Sequence, residues 1–304
     1  MPDHTSNIKK LLESDNYVNN LLAFEIIQGL EEIPDETHKL LTQFPYLCLK
    51  YGILTPIQHR NVINLVYWER KYNERLSNLP HHTRKLKQLQ SLNLDRHQFQ
   101  KWPLEIFELK NLQKLSFSQN ILENIPDDIS KLQSLESLIL EFNCISKISE
   151  KISQLSKLET LNLTGNKDLK TLPNGIKYLQ QLVILNLGGC NLNVVPESIC
   201  SLKKLEVLDL GYNQIETLPK NIDGLENLEE LQISQNQITT LPKEIGGLKN
   251  LQTINLFKNQ LSDFPEEIRY LENLDTLFLG ENRLSESTKE KIQGLLPHTE
   301  ISFD

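Results

Sequence analysis

Leucine recurs along this chain with a fixed beat. From Leu89 onward it opens a unit at positions 89, 112, 135, 158, 182, 205, 228, 251 and 274. Every step is 23 residues except the fourth, which is 24 because Lys167-Asp168 fills a place normally held by one residue. Leu205 to Asn227 reads LEVLDLGYNQIETLPKNIDGLEN, that is, LxxLxLxxNxIxxLPxxIxxLxx. Alternation at positions 4 and 6 (Leu208, Leu210) predicts a short strand with both side chains inward. The Leu-Pro pair that follows starts a return segment, where a φ near −65° and a missing N–H do no harm. Ile222 and Leu225, three apart, predict a 3₁₀ or short helical turn. One such unit cannot bury its own apolar stripe, so copies must stack. The expected fold is an α/β solenoid, a curved horseshoe. Its parallel sheet lies on the concave side and 3₁₀ or helical segments on the convex side, with nine strands spanning roughly 40 Å.

Position 9 is asparagine in seven of nine units: Asn120, Asn143, Asn166, Asn213, Asn236, Asn259 and Asn282. Buried there, its amide can bond backbone groups of neighbouring units in a ladder; His97 and Cys190 are the two departures. A solenoid needs atypical ends. At the C-terminus, Glu286–Leu296 reads as an amphipathic helix stopped by Pro297, and Ile301 and Phe303 as a tenth strand. Upstream, Leu76-xx-Leu79-Pro80-xx-Thr83-xx-Leu86 fits the second half of a unit. Its strand half is expected to be replaced by a helix over Thr55–Tyr72, with Thr55 as N-cap and Pro56 at N1. Asn16–Leu30 is an apolar helix ending near Gly29, and Ser6–Leu12 a short leading one. The expected organisation is a helical N-terminal region over 1–75, repeats over 76–284 and a capping helix with final strand over 285–304. Residues 76–88 form a partial repeat, and nine repeats run from 89. No Pro/Gly/Ser linker separates the N-terminal region, which favours a cap over a separate domain.

The unit resembles bacterial leucine-rich repeats, especially those of pathogenic spirochaetes. Leu241–Leu256 (LPKEIGGLKNLQTINL) and Lys289–Phe303 (KEKIQGLLPHTEISF) carry the likeness. What the resemblance implies is a binding scaffold, often host-facing, with no catalytic residue to carry over. The expected function is therefore a non-enzymatic module that binds a protein or peptide on the concave face. The alternative is an effector-type adaptor whose helical N-terminal region recruits a second protein.

Positions 2, 3, 5, 7 and 8 of each unit face solvent from the sheet, and most are small and polar. Ile139, Phe142, Tyr212, Phe257 and Phe278 stand out as apolar anchors of the kind that dominate interface energetics. Gly165, Gly188, Gly189 and Gly211 leave a floor without side chains between them. Position 2 carries Glu136, Glu159, Glu206 and Glu229, interrupted by Val183. With Glu141, Asp209, Glu230, Asp275 and Glu281 these make an acidic face, partly balanced by Lys203, Lys204 and Lys258, and a basic partner would suit it.

Charge narrows the classes further. Lys+Arg of 32 against Asp+Glu of 40 gives a net charge of −8, the wrong sign for holding nucleic acid or anionic lipid by bulk attraction. No apolar run approaches the roughly 18 residues of a membrane span. Met1–Asn7 lacks the charged-then-apolar order of a cleaved signal, so the expectation is a cytoplasmic chain or export by a route other than Sec. The cysteines (Cys48, Cys144, Cys190, Cys200) show no metal or disulfide spacing. His81-His82 has no defined third ligand, and no phosphate-binding or nucleophile motif occurs. No cofactor, metal or catalytic residue is therefore expected.

Overall fold

The computed structural model describes residues 4–14, 16–30, 32–58, 60–66 and 75–304. The chain divides into two compact units, residues 1–121 with 131–135, and residues 122–130 with 136–304.

The first unit begins with four helices, α1 (His4–Glu13), α2 (Tyr17–Gln28), α3 (Asp35–Leu41) and α4 (Pro45–Tyr51). Asn16 caps α2 by accepting the Val18 N–H at 2.9 Å. The buried Asn20 amide donates to the carbonyls of Leu11 and Ser14, both at 2.8 Å, and so terminates α1. Phe24 packs against Phe44 and Tyr51, with ring centroids 6.1 and 5.6 Å away. Gly52 ends α4 in the left-handed region, φ 73°, with the His82 ring where a Cβ would go. His82 Nδ1 lies 3.0 Å from the Leu49 carbonyl, which ties α4 to the first return segment, His81–Lys85.

One expectation fails here. Residues 55–58 form a turn, with the N–H groups of Ile57 and Gln58 on the Leu54 carbonyl. Val62–Asn64 is then a strand, β1, rather than part of a helix over Thr55–Tyr72. It pairs in parallel with β2 (Ser91–Asn93), Ile63 facing Leu92. The physical reason is the open edge of β2, whose backbone groups need partners. Asn61 O accepts from Gln90 and Ser91, and Asn93 O accepts from Leu65. Residues 67–72 of the expected helix lie outside the described residues. β3 (Lys114–Ser116) completes this unit's strands. An aromatic cluster, with Phe117 ring centroids 5.4 Å from Phe99 and 5.1 Å from Trp102, fills its core where later repeats use leucine and isoleucine.

In the second unit, β4 (Asn124–Ile125) and β6 (Lys147–Ile148) pair on the return side. The main strands follow in chain order: β5 (Ser137–Ile139), β7 (Thr160–Asn162), β8 (Ile184–Asn186), β9 (Val207–Asp209), β10 (Glu230–Gln232), β11 (Thr253–Asn255), β12 (Thr276–Phe278) and β13 (Glu300–Ser302). All pair in parallel with their neighbours, position 4 on position 4, as in Leu185 on Leu208 on Leu231. Leu205, Leu208, Leu210, Ile215 and Ile222 are fully buried in one repeat, each worth about 1.5–3 kcal/mol over exposure. Each Leu-Pro carbonyl then accepts from the N–H three residues on, as Pro219 from Ile222 at 3.2 Å, the 3₁₀ geometry expected. α5 (Glu286–Leu295), capped by Ser285 Oγ on Thr288 N–H, covers the last core through Ile292, and β13 sits where the tenth strand was expected.

Position 9 works as a ladder in both units. Asn120 accepts from Phe99 N–H and donates to Leu94 O in the preceding repeat, and Asn143, Asn166, Asn236, Asn259 and Asn282 accept in the same way. The departures substitute in kind. His97 accepts from Leu76 N–H through Nδ1 and reaches Leu65 O through Nε2. Cys190 sends its thiol to Leu163 O at 3.2 Å but has no oxygen for Leu169 N–H. The extra residue of that 24-residue repeat solves this, letting Leu169 N–H bond Asn166 O at 3.0 Å. A second ladder runs at position 23, where Asn111, Asn227, Asn250 and Asn273 each donate to a carbonyl 24 residues earlier.

Candidate partner-binding site

The five apolar anchors and the four position 2 glutamates all lie in the second unit. Strand register fixes their layout. Ile139, Asp209 and Phe278 belong to one row at position 5, and Glu136, Glu159, Glu206 and Glu229 to a row at position 2, broken at Val183. Phe142 (54 % exposed) and Tyr212 (64 %) stand at position 8 of repeats three strands apart, roughly 14 Å at the usual strand spacing. Phe278 is exposed, while Ile139 and Phe257 are half-buried. Phe257 lies against Gly280, at 3.0 Å from where a Cβ would stand. The structure thus brings Phe142 and Tyr212 to the two sides of the glycine floor. It leaves Phe257 and Phe278 as a separate pair toward the C-terminal repeats.

The floor differs in detail from a bare strip. The Phe142 ring covers Gly165, whose Cβ would fall 2.5 Å from its Cδ1. Asp209 lies over Gly188 and Gly211, at 3.1 and 3.2 Å from their missing Cβ positions, and its Oδ1 accepts the Gly211 N–H at 2.8 Å. Only Gly189 stays open, its nearest neighbours being Gly165 backbone atoms at 3.8 Å. At the start of the same strands Ile184 faces Val207 across β8 and β9, and with Val183 they form a half-buried aliphatic patch. Ile184 and Val207 escaped the sequence reading. Their signal is position 3, which is polar or charged in every other repeat.

Position 8 hides a backbone constraint as well. It is left-handed in all nine repeats, at Arg96, Gln119, Phe142, Gly165, Gly189, Tyr212, Gln235, Lys258 and Glu281. In seven of them, from Arg96 to Lys258, the N–H reaches the position 7 carbonyl of the next repeat, as Tyr212 does to Ser234 at 2.9 Å. For a residue with a Cβ this conformation costs about 1–2 kcal/mol. The ladder imposes it, and Phe142 and Tyr212 occupy it with large rings.

The charge on this face is predominantly acidic. Across positions 2, 3, 5, 7 and 8 of the seven repeats from Leu135 on, there are nine carboxylates and one cation, Lys258, which lies 3.9 Å from Glu281. Lys203 and Lys204, which lead into Leu205, bond Glu226 and Gln181. Burial pushes the Asp209 carboxyl above the usual carboxylate range; the Gly211 N–H opposes that rise and Glu230 adds to it. A carboxyl raised in the folded state binds its proton more tightly there than in the unfolded chain. Stability is therefore lost as pH rises from the ordinary carboxylate value through the raised one. Asp209→Asn, which keeps the Gly211 cap, should be the more stable protein above that window and converge with the parent below it, as read from urea midpoints across pH.

Three of the four thiols are buried. Burial pushes Cys48 and Cys200 up to about 12 and Cys190 up to about 11, and Cys144 alone is exposed. Among the described residues no group of three or more His, Cys, Asp or Glu could hold a metal, and no helix is long and apolar enough to cross a membrane.

The leucine rich repeat family model matches residues 87–145, 110–167, 133–192 and 180–238, and a two-copy leucine-rich-repeat model matches 226–270. The chain is a leucine-rich-repeat protein. Such repeats are typically non-enzymatic interaction modules. This leucine-rich-repeat protein is similar along its length to one from Leptospira interrogans, at 28% identity and a TM-score of 0.51, covering 98% of both chains. It is also similar to the plant peptide hormone receptor RGFR1 in complex with RGF2 (30% identity, TM-score 0.61, 75% of this chain). A third likeness is to the ectodomain of the Arabidopsis thaliana receptor kinase GASSHO1/SCHENGEN3 in complex with CASPARIAN STRIP INTEGRITY FACTOR 2 (25% identity, TM-score 0.60, 73% of this chain). The match spans only 38% and 27% of those two plant chains. No curated protein matches the sequence.

Proposed function

We propose that this leucine-rich-repeat protein is a protein-interaction module that binds a protein segment on the sheet face of its second unit. The observation that carries the reading is the pair Phe142 and Tyr212. Both are large, exposed rings held at backbone positions where a glycine would cost less. The two plant receptors, solved as complexes with their partners, lend support. A photo-crosslinking amino acid at Gln235, on the sheet face, should trap the native partner. The same group at Lys220, on the return segment, should not. Adducts from Lys220 alone would remove the sheet face from consideration.

A second reading, a host-directed adaptor, is favoured by α2. Val18 and Leu22, one helical turn apart, are exposed, an apolar stripe of the kind that marks interaction surfaces. Crosslinking from Leu22 to a second, different protein supports it, and absence of any adduct there removes it.

A further inference from the structure

Between Phe142 and Tyr212 the sheet face is a shallow trough. Its floor is Gly188, Gly189 and Gly211, its upper side the aliphatic pair Ile184 and Val207, and its one charged floor group Asp209. Asp209 Oδ1 is taken by the Gly211 N–H. Among the described residues Oδ2 accepts no hydrogen bond and no cation lies within ion-pair distance. The carboxylate is half-buried and beside a second one, Glu230. A charge removed from water in this way costs free energy that a cation from elsewhere would recover.

Resting on the sheet-face reading above, we propose that the trough takes an extended, cationic peptide segment. One of its arginines lies against the Tyr212 ring and places its guanidinium on Asp209 Oδ2. Three features select this occupant. The charge balance of nine carboxylates to one cation excludes acidic and disfavours neutral segments. Walls roughly 14 Å apart over a floor of glycines and Asp209 give an extended backbone room to lie across the strands. The adjoining ring and carboxylate suit a planar, weakly hydrated guanidinium, which stacks on aromatic faces, better than a compact ammonium. Ile184 and Val207 then receive the arginine's alkyl stem or an apolar neighbour.

The test uses the full chain and two acetylated, amidated probe peptides, Leu-Arg-Gly-Arg-Leu and its citrulline counterpart, titrated by calorimetry. Citrulline keeps the shape and loses the charge. The arginine peptide is expected to bind about tenfold tighter or better. Asp209→Asn should abolish that difference, and Tyr212→Gly should reduce it. Glu272→Gln, which removes one carboxylate away from the sheet face, should change affinity by no more than about twofold, the effect of a screened charge. Equal binding of the two peptides, an arginine preference that survives Asp209→Asn, or no binding of the arginine peptide would each overturn the proposal. None of these bears on the broader sheet-face reading, which stands or falls on the Gln235 adduct.

Discussion

Replacing Asn213 by alanine should lower the stability of this protein by about 3–5 kcal/mol, one of the largest single-residue losses available in it. The amide makes five bonds inside the core. Its Oδ1 accepts from Cys190 N–H at 3.0 Å and Leu192 N–H at 2.9 Å. Its Nδ2 lies 2.9 Å from the Leu187 and Leu210 carbonyls and 3.1 Å from that of Gly211. Alanine removes every one and leaves two N–H groups buried without partners, each costing about 1–3 kcal/mol. It also frees the left-handed turn at Tyr212, which the ladder holds. Because each repeat touches only its neighbours, the damage breaks coupling in the middle of the array. The same change at Asn282, half-buried in the last repeat and making fewer bonds, should cost about 1–2 kcal/mol. Urea unfolding midpoints at constant slope measure both. Equal losses at the two sites would show that the amides stabilise only locally.

The reason the repeats were legible in the sequence, and the N-terminal region was not, is the same in physical terms. A repeat copies its environment every 23 residues, so Leu208 and Asn213 report their own burial through their counterparts. Val62-Ile63-Asn64 has no copy at the regular spacing. It joins the sheet because β2 needs an edge partner, a tertiary demand that local periodicity does not carry. α3 and α4, only seven residues each, were equally silent. At the candidate site the exposed rings and the acidic row could be read from their positions. The left-handed backbone of position 8 could not, because Phe142, Tyr212 and Lys258 disguise what Gly165 and Gly189 alone hint at. The packing of Phe142 on Gly165 and of Asp209 over Gly188 joins residues of adjacent repeats, and single-repeat patterns do not encode it.

Tyr212→Gly should separate stability from function. At φ 55° the tyrosine backbone sits in a region that costs an L-residue about 1–2 kcal/mol. Glycine occupies it without strain but gains about 0.5–1 kcal/mol of unfolded-state freedom. The ring, 64 % exposed, gives up little burial. The balance is a protein as stable as the parent or more stable by up to about 1 kcal/mol. Partner binding should move the other way, by tenfold or more, because a central aromatic anchor is worth about 2 kcal/mol or more when removed. Phe142→Gly should gain less stability, since its ring packs on Gly165 and that contact is lost. A bulky ring kept at a strained position, at a cost the fold does not need, makes sense as a residue retained for contact with something outside the chain. Loss of stability in Tyr212→Gly together with unchanged partner affinity would instead make the ring a packing element, and the trough between the two aromatics would lose its assigned role.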